Sequence, residues 1–330
     1  MPDLHCRYLG LDLTSPIVAS ASPLTGHLQD LMALEDLGAG AVVLPSLFEE
    51  EIEADAINLT ERLEAGSESF AEATGFLPVK DLSFAGPAAH LKLVAAARNS
   101  LDIPVIASLN GMTDGGWVRY AAMLADAGAN AVELNLYSVE SDAKRSASDV
   151  ETDYLRLIEH VRWRVDVPLS VKLSPYFSST AHFARRLFDL GIDGLVLFNR
   201  FVQPDIDIET FDVNTRVELS APQELRLPLR WIGLLRPTLP EMSLALSSGV
   251  RTGTDVVKGL LAGADVVMLA SELIRNGPQR LAGVRAELVN WMVAHEYDSV
   301  VQMRGSLSSD SARDARAYER SQYVRAISRR

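Results

Sequence analysis

The sequence predicts a (β/α)8 barrel, and three observations carry that prediction. Eight short apolar runs each finish in a small polar or charged side chain. Stretches of helical periodicity lie between most of them. The chain has 330 residues, against the ~250 that one such barrel usually needs, which leaves room for inserted loops and a tail.

In order, the runs are Pro16–Ser22, Gly40–Ser46, Pro104–Asn110, Ala131–Tyr137, Pro168–Ser174, Gly194–Arg200, Met242–Ser248 and Val266–Ser271. Helical patterns cover Ala88–Arg98, Gly116–Ala127 and Asp149–Arg164. Two insertions break the rhythm. Glu49–Ser83 has mixed polarity and an acidic bias, as lids and substrate-binding loops often do. In the second, Phe201–Leu235, the stretches Ile206–Val213 and Thr215–Leu219 alternate enough to predict a short hairpin. The expected organisation is one barrel over 1–307 and a tail over 308–330, rich in Ser, Asp and Arg, that reads as a terminal helix or a frayed end.

Composition narrows the function. No run reaches the ~18 apolar residues of a membrane span, and the start shows no basic region followed by an apolar stretch and cleavage site. Cys6 is the single cysteine, so an internal disulfide or cysteine metal site is excluded and a reducing cytoplasm fits. A formal charge of −13 argues against nucleic acid or anionic membrane as partner, because either needs a basic face. A local phosphate pocket is still allowed.

Enzymes on this fold place their chemistry at the carboxyl ends of the strands, where Ser20, Ser46, Asn110, Asn135, Lys172, Asn199, Ser248 and Ser271 fall. In VELNLYS, alternation puts Glu133, Asn135 and Tyr137 on the barrel side and Val132, Leu134 and Leu136 on the helix side. In PLSVKLSPYF the same rule pairs Ser170 with Lys172 inside the barrel. A lysine there loses hydration, so an anionic or polar group should meet it: a bound ligand, or Glu133 as an internal ion pair. Asn199 is expected on the face of Leu195 and Leu197. Asn135, Lys172 and Asn199 then form a donor set suited to a flat heterocycle with carbonyl and ring-nitrogen groups. After strand seven, Ser247, Ser248 and Gly249 expose backbone amides, and Thr254 or Asp255 can cap the next helix. Ala270-Ser271 open another helix, as in barrels that hold phosphate after strands seven and eight.

Weaker signals point nowhere specific. The six histidines show no metal-ligand spacing. Gly111–Gly116 lacks the phosphate-loop ending and reads as a turn opening a helix. His5-Cys6 reads as a pair at the surface or at the bottom of the sheet.

Taken in order and spacing, VELNLYS, PLSVKLSPYF, LVLFNR and SSGVRTGTDVVKGLLAGADVVMLAS resemble the dihydroorotate dehydrogenase family of flavin (FMN) enzymes, most of all its soluble, fumarate-linked class. The similarity runs from LGLDLTSPIVASAS to HEYDSVVQMRGSL. It implies FMN at the barrel mouth, with Ala19, Ser20 and Ser46 around the isoalloxazine edge and Lys172 near N1/O2. Ser248, Gly249, Ala270 and Ser271 would surround the phosphate, and Asn135 and Asn199 would contact flavin or substrate. A cation near N1 would stabilise the negative charge that develops on hydride acceptance. The resemblance also implies oxidation of dihydroorotate to orotate in pyrimidine (UMP) biosynthesis, a homodimer, and a soluble acceptor such as fumarate.

This chain departs from the family pattern in places. The active-site loop, usually Asn-Leu-Ser-Cys-Pro-Asn in the soluble class, reads Asn135-Leu136-Tyr137-Ser138-Val139-Glu140. Ser138 occupies the catalytic-base position, and the second asparagine is replaced by Glu140, a carboxylate expected to repel an anionic substrate. Pro45 stands for a lysine, Arg200 for a serine and Ser248 for the first of two glycines. The family's asparagine-bearing loop has no clear counterpart in 68–81. Two other readings stay open: a divergent flavin-binding paralogue with another substrate or no turnover, and a lyase forming a Schiff base at Lys172.

Overall fold

The computed structural model describes residues 1–51, 86–111, 114–137, 139–200, 203–214, 218–309 and 315–328. Eight parallel strands close into a barrel: β3 (Ile17–Ala19), β4 (Ala41–Phe48), β5 (Val105–Asn110), β6 (Ala131–Asn135), β7 (Leu169–Leu173), β8 (Gly194–Leu197), β11 (Ser243–Leu246) and β12 (Val266–Leu269). All eight predicted runs became strands, and the (β/α)8 architecture stands as expected. Helices α1 (Leu28–Asp36), α2 (Gly86–Ser100), α3 (Asp114–Asp126), α4 (Ala147–Arg164), α5 (Thr180–Asp189), α6 (Arg226–Leu235) and α7 (Gly253–Ala262) lie between strands. Three more, α8 (Ser271–Asn276), α9 (Arg280–Ala294) and α10 (Val300–Met303), follow the last strand, and α11 (Ala315–Ser328) makes the tail helical.

Strand alternation sorts the core into two sets. Val18, Val43, Ile106, Ala131, Val196, Ala245, Val266 and Met268 fill the barrel interior, while Ile17, Val42, Leu134, Val171, Leu195 and Leu269 pack outward against the helices. The interior is closed from below by a hairpin, β1 (Cys6–Tyr8) and β2 (Leu11–Leu13), whose two-residue turn has both residues at positive φ, Leu9 at 53° and Gly10 at 75°. Leu9 is fully buried at this floor, and a Cβ on Gly194 would lie 2.4 Å from its Cδ2, so glycine at the start of β8 makes room for it.

Below the sheet, Asp265 is buried and bound from three sides. It accepts hydrogen bonds from the Arg236 and Arg304 guanidinium groups and, at 2.7 Å, from the Leu244 amide. Arg236 also donates to the carbonyls of Gly263 (2.7 Å), Pro240 (3.0 Å) and Met242 (3.1 Å), tying α6, α7 and β11 together.

Two expectations change here. The second insertion does not extend to Leu235, because Ile232 and Leu235 are buried on one stripe and 226–235 forms α6, a regular helix of the barrel. The hairpin is shorter than predicted: β9 (Asp205–Asp207) pairs with β10 (Asp212–Asn214), so both strands fall on the first alternating stretch and its two flanking residues. Residues 215–217 and 68–81 lie outside the described residues.

One prediction concerns acid stability. Burial pushes the His90 imidazole on α2 down from 6.5 to about 4, and its Nε2 is buried without a hydrogen-bond partner. The folded state therefore keeps His90 neutral, whereas the unfolded chain takes up the proton below about 6.5. Stability unaffected above pH 6.5 should fall as pH drops toward 4, by roughly 3 kcal/mol in full. Urea midpoints of wild type and His90→Met at pH 7 and pH 4.5 check this. The variant should lose less on acidification, and an identical loss would remove His90 from the account.

Candidate functional site

Strands β6 and β7 carry the charged interior. Their register sets Asn135 beside Lys172 and Glu133 beside Ser170. Glu133 is fully buried, neither carboxylate oxygen has a hydrogen-bond partner, and the Lys172 Nζ lies 3.6 Å from Oε1. That separation is an ion pair without a hydrogen bond, so the lysine compensates the carboxylate and keeps its N–H donors for other groups. Tyr8, reaching up from the floor hairpin, brings its buried hydroxyl to the side chain of Ser170, beneath Glu133. Burial first, then the Glu133 charge, pushes the Tyr8 phenol well above its ordinary value, so it stays a neutral hydroxyl.

Above this layer, the Asn199 Nδ2 donates to the Asn135 Oδ1 at 2.7 Å. Lys172 and Asn199 line a cavity of about 160 Å³, together with Ser20, Ser248, Gly249, Ala270 and Ser271. Seven of the residues picked from the sequence thus share one cavity, and Asn135 borders it through Asn199. Whole-ligand pockets run to ~300–1,000 Å³, so this cavity matches one end of an elongated ligand, with the remainder along the mouth.

Other placements differ from expectation. Asn199 reaches this site although Leu195 and Leu197 point to the helix layer, because β8 ends at Leu197 and alternation ends with it; the Leu197–Phe198 peptide bond is cis. Ala19 packs into the outer core rather than the cavity, since it shares parity with Ile17. Ser46 is turned to Ser108 across the β4–β5 pair, hydroxyl to hydroxyl at 2.7 Å, and does not line the cavity. Thr252, not Thr254 or Asp255, caps α7, with Asp255 completing the reciprocal capping box, and the Gly253 amide donates to Glu287 at 2.7 Å. The start of α7 is therefore largely satisfied internally, and since the Gly249 amide is itself engaged by Ser220, the anion-side donors are left to Ser248 and the start of α8. Ser138 lies outside the described residues. Glu140 does not face the cavity: it pairs with Arg145 at 3.0 Å, in a separate groove, which offsets the expected repulsion.

Sequence reasoning missed Ser220. It is buried, its amide donates to the Ser271 Oγ at 3.0 Å, and its Oγ accepts from the Gly249 amide at 3.2 Å, so it rivets the loops after β11 and β12. Nothing local marks it, because its role exists only once the second insertion has folded back over the mouth. A Cβ on Gly249 would sit 2.4 Å from the Leu225 amide, so that approach requires glycine.

Ser248 and Gly249 both have positive φ, 80° and 74°. For a serine this costs about 1 kcal/mol, against one 3.3 Å hydrogen bond from its Oγ to the Phe198 carbonyl. Ser248→Gly is expected to raise stability by up to about 1 kcal/mol in urea unfolding. A loss of stability would mean that the hydroxyl outweighs the backbone cost.

Among the described residues, no group of three His, Cys, Asp or Glu side chains could hold a metal, and no helix is long and apolar enough to cross a membrane.

Comparison with known proteins agrees with the resemblance. Residues 4–292 match the dihydroorotate dehydrogenase family. Three relatives are each named dihydroorotate dehydrogenase B (NAD(+)), catalytic subunit. That of Endomicrobium trichonymphae is 28% identical over 82% of this chain and 86% of its own. That of Listeria monocytogenes is 28% identical over 79% and 84%, and that of Methanothermobacter thermautotrophicus 27% over 92% and 97%. Their names carry NAD(+), whereas the sequence resemblance pointed to fumarate. With the barrel, the polar mouth and a match over nearly its whole length, the chain belongs to the dihydroorotate dehydrogenase family of oxidoreductases.

Proposed function

We propose that this protein is an FMN-dependent cytoplasmic oxidoreductase that oxidises dihydroorotate, or a close cyclic relative, at a CH–CH bond, within pyrimidine (UMP) biosynthesis. The observation that carries the reading is the buried Lys172 with uncommitted donors, flanked by the Asn135–Asn199 pair at the cavity. These residues fit a flavin: a cation and amides for the pyrimidine edge of its ring, and Ser248, Gly249, Ala270 and Ser271 for its phosphate.

Bound FMN would supply a two-electron acceptor for hydride. Lys172, 3.6 Å from the Glu133 carboxylate, would hold positive potential where the ring gains electron density, in a site of low dielectric where such charge counts most. Asn199 is oriented by Asn135, so its amide is fixed before ligand arrives. Ser138 would take the proton from one substrate carbon as hydride leaves the other. A serine needs help for this, and water or a neighbouring group must accept its proton. Ser20, Ala19 and Ser46 were assigned to the ring edge by resemblance; of these, Ser20 keeps that proposed role.

The acceptor that reoxidises the cofactor is taken to be soluble and small: fumarate by the sequence resemblance, NAD(+) by the relatives' names. Self-association as a homodimer is part of the proposal. The test is the visible spectrum of purified protein before and after anaerobic addition of dihydroorotate, followed by fumarate or NAD(+). Bleaching by substrate and recovery with one acceptor is the expected result. A flavin that dihydroorotate never bleaches would favour a divergent substrate, and protein that neither carries nor takes up FMN would sink the reading. Borohydride trapping of a carbonyl substrate on Lys172 would instead favour the lyase.

A further inference from the structure

Among the described residues that line the cavity at the barrel mouth, Lys172 and Arg200 are the charged ones, and both are cations. The chain as a whole carries a formal charge of −13, so two cations facing one pocket run against its general composition. Glu133 answers Lys172 from within the barrel. Arg200 stands where the family pattern has serine, and the ring contacts proposed for Lys172, Asn135 and Asn199 do not need it.

A chain of hydrogen bonds puts Arg200 at the phosphate end of the cavity. Its Nε donates to the Glu224 Oε2 at 2.9 Å, and the other oxygen of that carboxylate accepts from the Ala221 amide at 2.8 Å. Ala221 follows Ser220, which engages both the Gly249 amide and the Ser271 hydroxyl. Glu224 sits in the short 3-10 helix Pro222–Leu225, and that helix ends against the Ser248-Gly249 turn, where the Leu225 amide would be 2.4 Å from a Cβ on Gly249. Glu224 does not line the cavity, so it holds the guanidinium from outside. Fixing Nε also removes freedom that a long side chain would otherwise lose on meeting a ligand.

The main-chain donors at this end are mostly committed. The Gly249 amide donates to the Ser220 Oγ at 3.2 Å, the Arg251 and Thr252 amides to one oxygen of Asp255 at 3.2 and 3.1 Å, and the Gly253 amide to Glu287 at 2.7 Å. A phosphate dianion here meets few uncommitted N–H groups, so its charge must be met by a side chain. Arginine suits that task, being charged at any working pH and shaped as a planar fork that pairs with two oxygens at once.

We propose that Arg200 is the charged partner of the cofactor's phosphate, and that it makes this chain select FMN over riboflavin. The inference rests on the flavin reading above and adds a specificity residue to it. Nε stays with Glu224, and the rest of the guanidinium serves the phosphate oxygens beside Ser248 and Ser271.

Fluorescence titration of the flavin-free full chain with FMN and with riboflavin tests it, because the two ligands differ only in the phosphate. Wild type should prefer FMN. Arg200→Ser, which installs the family's residue, should weaken FMN binding by about 10–100-fold, the worth of one charge-assisted contact, and leave riboflavin binding within about twofold. Arg200→Lys, which keeps the charge without the fork, should fall between. Arg226→Ser, at an exposed position of α6, should change neither affinity. An Arg200→Ser protein with the wild-type preference for FMN would overturn the inference and leave the flavin reading standing, as would one whose only loss is in orotate binding. Equal loss of FMN and riboflavin would make Arg200 a strap between the barrel and Pro222–Leu225, and would overturn the inference as well. A wild type that takes up neither ligand would overturn both.

Discussion

Lys172→Met is expected to lower turnover of the flavin-loaded protein by about 10²–10³-fold, the range seen when one preorganised electrostatic contact to developing charge is lost. The same substitution leaves the fully buried Glu133 carboxylate without its counter-charge, so stability should fall by about 3–5 kcal/mol. The two effects are separated by Lys172→Met/Glu133→Gln. Removing both charges should recover most of the stability, because a matched neutral pair avoids the unpaired buried ion, yet turnover should stay low. If the double variant turns over like wild type, Lys172 is a packing element of the barrel and no part of the chemistry. Stopped-flow flavin reduction and urea unfolding on the same preparations give both readings.

The second large effect is expected at the opposite end of the barrel. Asp265→Ala should cost about 3–5 kcal/mol, because it strands two guanidinium groups and leaves the Leu244 amide without its acceptor. Burial pulls the Arg236 pKa down, against the attraction of Asp265, yet an arginine stays charged at any working pH. Asp265→Asn, which keeps the shape and one acceptor oxygen but loses the charge, should fall between wild type and alanine. Thermal unfolding orders the three. Equal midpoints for wild type and alanine would mean that solvent reaches the arginines and the cluster contributes little. Neither variant should alter the proposed flavin binding, since no residue of the cluster lines the cavity of Lys172 and Asn199.

The charged interior was legible because strand alternation is local. Once VELNLYS and PLSVKLSPYF read as strands, Glu133, Asn135, Ser170 and Lys172 had to share the barrel side, and they do. The same rule failed at Asn199, and at Ala19 it was right where the family pattern was not. Asn199 comes after the strand has ended, and Ala19 was assigned from the family pattern although its own parity points outward. The cap of α7 needed one more step: Asp255 sits three residues after Thr252, the spacing of a capping box, and that spacing selects Thr252. Ser220 and the floor hairpin were beyond reach of any local rule, because the first depends on a long insertion folding back and the second on a barrel already closed.

That floor carries a consequence for how the chain is made. The Leu9 amide donates to the Ser243 Oγ at 2.9 Å, a partner synthesised 234 positions later, and the Asp3 amide waits for the Asp298 carbonyl. Contacts so distant in sequence form late and slowly. The apolar plug therefore waits through the synthesis of the intervening strands without its socket, exposed to other nascent chains and to chaperones. The floor hairpin is in that sense finished by strands made long after it, and expression yield should respond more to changes in residues 6–13 than their small number suggests.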